Sequence, residues 1–201
     1  MSRDGKLQIE TSVTQQAPRP ALRERVATAI LEAAASALAE QGEQTSMSDV
    51  AAAAGVARAT VYRYFPNRDA LLESVGRLAL DDAGARLGAA RLDEVALADG
   101  LERAVRALVG VGDGFVVLAR QRARQDVSGF DERIGVPLRN LMARGQGSGD
   151  IRKDVPAAWL TEALFGLVVS VMASAPALGT DDTIAAISNV FLDGARGERG
   201  S

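Results

Sequence analysis

The chain has neither cysteine nor histidine in its 201 residues. That removes disulfides, thiolate nucleophiles, the commonest zinc ligands and the usual general base of enzymes in one observation. Carboxylates that are neighbours in sequence, such as Asp81 and Asp82, diverge around a helix and make a poor acid–base pair. A catalytic role is therefore disfavoured, and no catalytic residue, metal ligand or cofactor is assigned. Lysine occurs only as Lys6 and Lys153, so the basic residues are nearly all arginine. The first twenty residues, MSRDGKLQIETSVTQQAPRP, contain no apolar run and do not read as a secretory signal. A loose polar tail over 1–20 and a cytoplasmic protein are expected. The most apolar segment, PAAWLTEALFGLVVSVMASA at 156–175, is interrupted by Glu162. A membrane span needs about 20 predominantly apolar residues, so no membrane partner is expected.

What is present is a hydrophobic content of 47% and a formal net charge of -3. The first supplies a core. The second means that any binding to nucleic acid must come from a localised basic surface rather than from general attraction. Such a surface is visible at 45–68, TSMSDVAAAAGVARATVYRYFPNR. Ser46 followed three residues later by Asp49 forms a helix-start signature of the capping-box kind, and Gly55 ends the run. A second short helix follows over 58–65 and stops before Pro66. Two short helices about a glycine are common in helical proteins, and arginines on a helix are often only a solvated face. Here, however, Val50, Ala54, Val56, Val61 and Phe65 can turn inward, which leaves Arg58, Thr60, Tyr62, Arg63 and Tyr64 outward. Positions 50–68 hold three arginines and no carboxylate, so the local field is positive on an acidic chain. A short basic and aromatic helix fits a DNA major groove, where arginine grips guanine through two hydrogen bonds. The spacing predicts a helix-turn-helix over about 46–65.

The run GVARATVYRYFPNRDALL resembles the DNA-binding segment of the TetR family of bacterial transcriptional regulators, a likeness covering about the first third of the chain. It implies that Ser46, Met47, Ser48 and Tyr62 meet phosphate, that Arg58, Ala59 and Tyr64 face base edges, and that Arg68 stands at a phosphate-binding position where the family usually has lysine. Ala57 replaces a frequent capping serine, which weakens the helix start by about 1 kcal/mol. Tyr64 replaces a frequent histidine and so bears on base preference.

Preceding the motif, Val26, Ile30, Ala34 and Leu38 recur four apart along an amphipathic helix that packs across the two short ones. For Arg23 a contact with DNA backbone is one reading, and a place on the solvated face is the plainer one. After the motif a long helix carries Leu71, Leu72, Val75, Leu78, Leu80 and Leu87. Helical periods continue around Leu101 to Gln125, broken at VGVGDG. That glycine run lacks the lysine and preceding strand of a phosphate loop, so it reads as a helix break. Arg120, Arg122 and Arg124 read as surface residues. The sequence ARGQGSGDIR also resembles the later part of TetR regulators, more weakly. Leu160, Leu164, Leu167 and Val171 lie on one side of the penultimate helix and Phe165, Val168 and Met172 on another. Ile184, Ile187, Val190 and Phe191 stripe the last helix. Apolar surface on so many sides predicts a homodimer through Leu160, Leu164, Leu167, Val171, Ile184, Ile187 and Phe191 in a four-helix interface.

The expected fold is all-α, with a three-helix DNA reader at 21–80, a larger effector-binding and dimerisation domain at 81–195, and a short tail at 196–201. The resemblance implies a repressor released from a palindromic double-stranded DNA operator by a small, mainly apolar effector. Phe115, Met142, Trp159 and Phe165 are the large apolar candidates for its pocket, although core packing is the plainer role of each. An activator, a regulator without a ligand, an enzyme with an appended reader and an adaptor without DNA binding are the alternatives.

Overall fold

The structure, a computed structural model, describes residues 19–174 and 178–196. Most of the expected tails, up to residue 18 and from 197 onward, lies outside these. Among the described residues every regular element is helical. The α-helices are α1 (Arg19–Gln41), α2 (Met47–Ala53), α3 (Arg58–Tyr64), α4 (Arg68–Ala89), α5 (Leu97–Val109), α6 (Asp113–Arg122), α7 (Val136–Ser148), α8 (Ala157–Ala173) and α9 (Thr180–Ala195). Short 3-10 turns occupy Gly42–Gln44 and Leu92–Glu94, and a π turn at Asp131–Gly135 leads into α7. No helix among the described residues is long and apolar enough to cross a membrane.

Two cores are built along the chain. Ile30, Ala34 and Leu38 of α1 meet Val50 and Ala51 of α2, Val61 of α3, Phe65, and Leu71 and Val75 of α4. Ala79, Leu80, Ala83 and Leu87 of the same α4 belong instead to the body core of α5 to α9. The two cores thus divide within one continuous helix, between Val75 and Ala79. Leu78, read as part of the apolar stripe, is 42% exposed, because the helix turns it away from both cores.

A second element shared by the two cores is α6. Its Phe115, Leu118 and Ala119 pack into the body, while Val117 inserts into the reader core. The predicted break before it is real: Gly112 has φ +70, a backbone region that side chains with a Cβ seldom adopt. Polar contacts tie α6 to α1 as well. Ser36 Oγ donates to Asp113 Oδ2 at 2.7 Å, and Arg120 donates to the carbonyls of Leu38 and Ala39 at 2.5 and 3.1 Å. These carbonyls belong to the last turn of α1, where backbone oxygens have no partner within the helix and a cation is favoured. Gln121 donates through Nε2 to the carbonyl of Leu72 in α4.

The last two helices correct the expected dimer face. Leu160, Leu164, Ile184, Ile187 and Phe191 are all buried within the chain's own core, so little of these five side chains is left for a partner. Helical period identified them as apolar, but it could not distinguish the side facing the chain's own body. Leu167 and Val171 remain half-buried. The outward surface is carried by residues one step round the helices: Trp159 is 73% exposed and Val190 is 63% exposed. Between α8 and α9 an apolar groove of about 180 Å³ is lined by Leu167, Val171, Leu178, Ala186, Ile187 and Val190 among others.

Candidate nucleic-acid interface

The start of α2 is fixed by a reciprocal cap. Asp49 N donates to Ser46 Oγ at 3.2 Å, while the Ser46 backbone N–H and hydroxyl donate to Asp49 Oδ2 at 2.8 and 2.6 Å. These bonds, the side-chain one foremost, hold the Asp49 carboxyl below its ordinary value. The helix ends in a Schellman motif. Gly55 N donates to Ala52 O and Val56 N to Ala51 O, with Gly55 at φ +65, as the left-handed closing residue requires. The turn that aims α3 away from α2 therefore follows from local hydrogen bonding.

Ala57 gives α3 no side-chain cap, as its replacement of serine implied. The other end is firmer: Phe65 is buried, Pro66 follows, and Asn67 Oδ1 accepts from Ala70 N at 2.8 Å to start α4. The long helix thus begins at Arg68. With α3 pinned through Val61 and Phe65, its other face is left to solvent. Arg58, Ala59, Tyr62 and Arg63 are exposed, while Thr60 and Tyr64 are half-buried.

The exposed arginines are held by the two tyrosines. Arg58 donates to Tyr62 Oη at 3.2 Å, and its guanidinium carbon lies 5.3 Å from the Tyr62 ring centre. Arg63 and Arg23 lie 5.4 and 5.8 Å from the centre of the Tyr64 ring. Such stacking fixes a planar cation at little cost in hydration. The plainer sequence reading put Arg23 on a solvated face; its stacking on Tyr64 brings it to the edge of α3 instead. Its four-residue register with Ala27 and Leu31, both packed against the reader core, was the available signal.

Three expected contacts have other positions. Met47 is buried in the reader core, so its side chain cannot reach phosphate, while Ser48 stays exposed. Ser46 is engaged in its cap. Arg68, expected on phosphate, turns inward and donates to the carbonyls of Thr45 and Gly42 at 3.2 and 3.5 Å. It clamps the turn between α1 and α2, a partner more than twenty residues away that no local pattern announces.

The four expected pocket residues do not enclose a cavity together. Phe115, Met142 and Phe165 are buried in the body core and Trp159 faces solvent. An open groove of about 750 Å³ lies instead between α4 and α7, lined by Asp81, Leu87, Arg91, Arg133, Pro137 and Arg144 among others. None of the four touches it.

The Ser46 cap gives a direct test of the reader's local stability. Ser46→Ala is expected to lower stability by about 1 kcal/mol at neutral pH. The folded value of the Asp49 carboxyl lies below its unfolded value, so its contribution is complete above about pH 4 and is lost as pH falls through the folded value. Urea unfolding of both proteins across this range should show the difference between them narrowing in acid.

Residues 30–75 match the family model described as bacterial regulatory proteins, tetR family. A 55-residue segment is 49% identical to the HTH-type transcriptional repressor LfrR of Mycolicibacterium smegmatis (strain ATCC 700084 / mc(2)155), covering 27% of this chain and 29% of that protein. The likeness in structure is broader. The crystal structure of the TetR-like transcriptional regulator LfrR from Mycobacterium smegmatis in complex with proflavine aligns over 88% of this chain and 99% of that one, with a TM-score of 0.71 and 25% identity. A TetR family transcriptional regulator, PfmR from Thermus thermophilus, aligns over 85% and 96% at a TM-score of 0.62 and 24% identity, a likeness of fold. The chain thus carries a tetR-family DNA-binding segment over residues 30–75, on a helical body whose fold is similar to that of TetR-like regulators.

Proposed function

We propose that the protein is a dimeric, sequence-specific transcriptional repressor that leaves a palindromic DNA operator when a small molecule binds its helical body. The observation that carries this reading is the outward face of α3, free of carboxylates, with Arg58 steadied by Tyr62. Arg58, Ala59 and Tyr64 are the base-facing candidates. Tyr62, Thr60, Arg63, Ser48 and the stacked Arg23 are the candidates for phosphate. The exposed apolar surface of α8 and α9 supports the dimer, centred on Leu167, Val171, Trp159 and Val190. A dimer carries two readers related by a two-fold axis, and these require an inverted repeat. A cytoplasmic location follows from a role on DNA.

The effector reading is supported by the LfrR structure that holds proflavine and by the way α6 joins the two cores. A ligand that displaces α6 acts on α1 through Arg120 and on α4 through Gln121. It must favour the arrangement in which the readers no longer match successive major grooves, since equal affinity for both arrangements shifts nothing. Selection from a randomised duplex pool tests the function. The expected product is an inverted repeat whose half-site centres are separated by one or more helical turns of DNA. Failure to enrich any sequence would reject a sequence-specific regulator.

A further inference from the structure

At the C-terminal end of α6, Arg122 reaches across to α8 and donates to both oxygens of Glu162, at 2.9 and 2.6 Å. Its guanidinium carbon lies 4.5 Å from the centre of the Phe130 ring and 5.2 Å from that of Phe165. The two rings stand 5.3 Å apart at 86° and form a right-angled aromatic corner, backed by Phe115 edge-on to Phe165 at 5.2 Å. Both corner rings are buried, whereas the Arg122 side chain is 33% exposed. Beside it Arg139 donates to both oxygens of Asp131 at 2.5 and 2.8 Å.

This corner has the parts of a recognition site for a planar organic cation: two perpendicular π faces and a carboxylate able to accept two parallel hydrogen bonds. We propose that Arg122 is a built-in competitor for this corner, and that the site takes aromatic amidinium or guanidinium cations once Arg122 swings out to solvent. The incoming head group restores the bonds to Glu162 and the stacking on Phe130 and Phe165, while its aromatic body adds apolar contact that an arginine stem lacks. Departure of Arg122 removes one of the two guanidiniums that act on Glu162 and Asp131 and leaves Arg139, so the vacated corner attracts a cation. Because Arg122 holds the site in the resting protein, affinity is reduced by the fraction of time the corner is free. The proposal deepens the effector reading and rests on it only for its consequence. Arg122 adjoins Arg120 and Gln121, the residues that hold α1 and α4, so displacing it works on the turn that joins body to reader.

The test uses the full chain without DNA and two probes of one shape, cationic 2-naphthamidine and neutral 2-naphthamide, titrated by calorimetry. Arg122→Ala is expected to bind naphthamidine at least ten-fold more tightly than the unaltered protein, and Arg122→Gln to show the same direction should the alanine variant fold poorly. Adding Glu162→Gln to either variant should abolish the gain, and naphthamide should gain less than two-fold. Equal affinity of the unaltered and Arg122-substituted proteins, or an equal gain for the neutral probe, overturns the proposal. Operator affinity of the unaltered protein at saturating naphthamidine is measured alongside. Tight cation-selective binding with unchanged operator affinity upholds the corner while removing it from the switch. Operator release without any gain on Arg122 substitution does the reverse, supporting a ligand-driven switch and overturning the corner.

Discussion

Val190→Asp is expected to convert the protein to a 21 kDa monomer in light scattering at micromolar concentration and to abolish binding to a palindromic site. Val190 is 63% exposed on α9 and borders the apolar groove shared with α8, so a carboxylate there is hydrated in the isolated chain. In a two-fold interface the change appears twice, and each buried carboxylate without a partner costs several kcal/mol. A total of only about 4 kcal/mol weakens dimerisation roughly a thousand-fold. The monomer presents one reader and loses the second half-site. The contrasting change is Leu164→Ala. Leu164 is fully buried within its own chain, so the expected loss is about 2 to 5 kcal/mol of folding stability, with the assembled mass unchanged. If Val190→Asp stays dimeric while Leu164→Ala dissociates, the interface uses the inner stripe and the outward assignment fails.

Arg58→Ala is expected to weaken the best operator by about 1 to 3 kcal/mol, roughly five- to 150-fold, and to relax preference at one position in each half-site. The structure adds a gradation. Tyr62 accepts from Arg58 and stacks beneath it, so Tyr62→Phe keeps the ring while removing the acceptor and should cost less than Arg58→Ala. Arg58→Lys retains the charge but not the planar fork that grips a base through two bonds, and should lose sequence preference nearly as fully as alanine. Selected-pool sequencing and titration at two salt concentrations measure both properties. A uniform loss over all sequences, with a flatter salt dependence, would make Arg58 a phosphate contact. Arg68 behaves differently in this scheme: its clamp on Thr45 and Gly42 makes Arg68→Ala a lesion in the α1–α2 turn, seen first as a lower thermal midpoint.

The sequence by itself determined what depends on residues a few positions apart. The Ser46–Asp49 cap, the Gly55 turn, the stop at Pro66 and the four-residue recurrence in α1 all act through hydrogen bonds or contacts within one helix and its ends. The basic, carboxylate-free face of α3 follows from the same local register, which is why the DNA reader was legible. Only the tertiary structure decided which apolar stripe of α8 and α9 serves the chain's own core and which stays exposed, because periodicity reports that a face is apolar and not what covers it. It also decided the fate of the arginines. Arg120 reaches carbonyls in α1 more than eighty residues away, Arg122 reaches Glu162 forty residues away, and Arg23 joins Tyr64. A long side chain with a planar charged end takes whichever partners the packed helices bring within reach, and helix packing is set by the whole core.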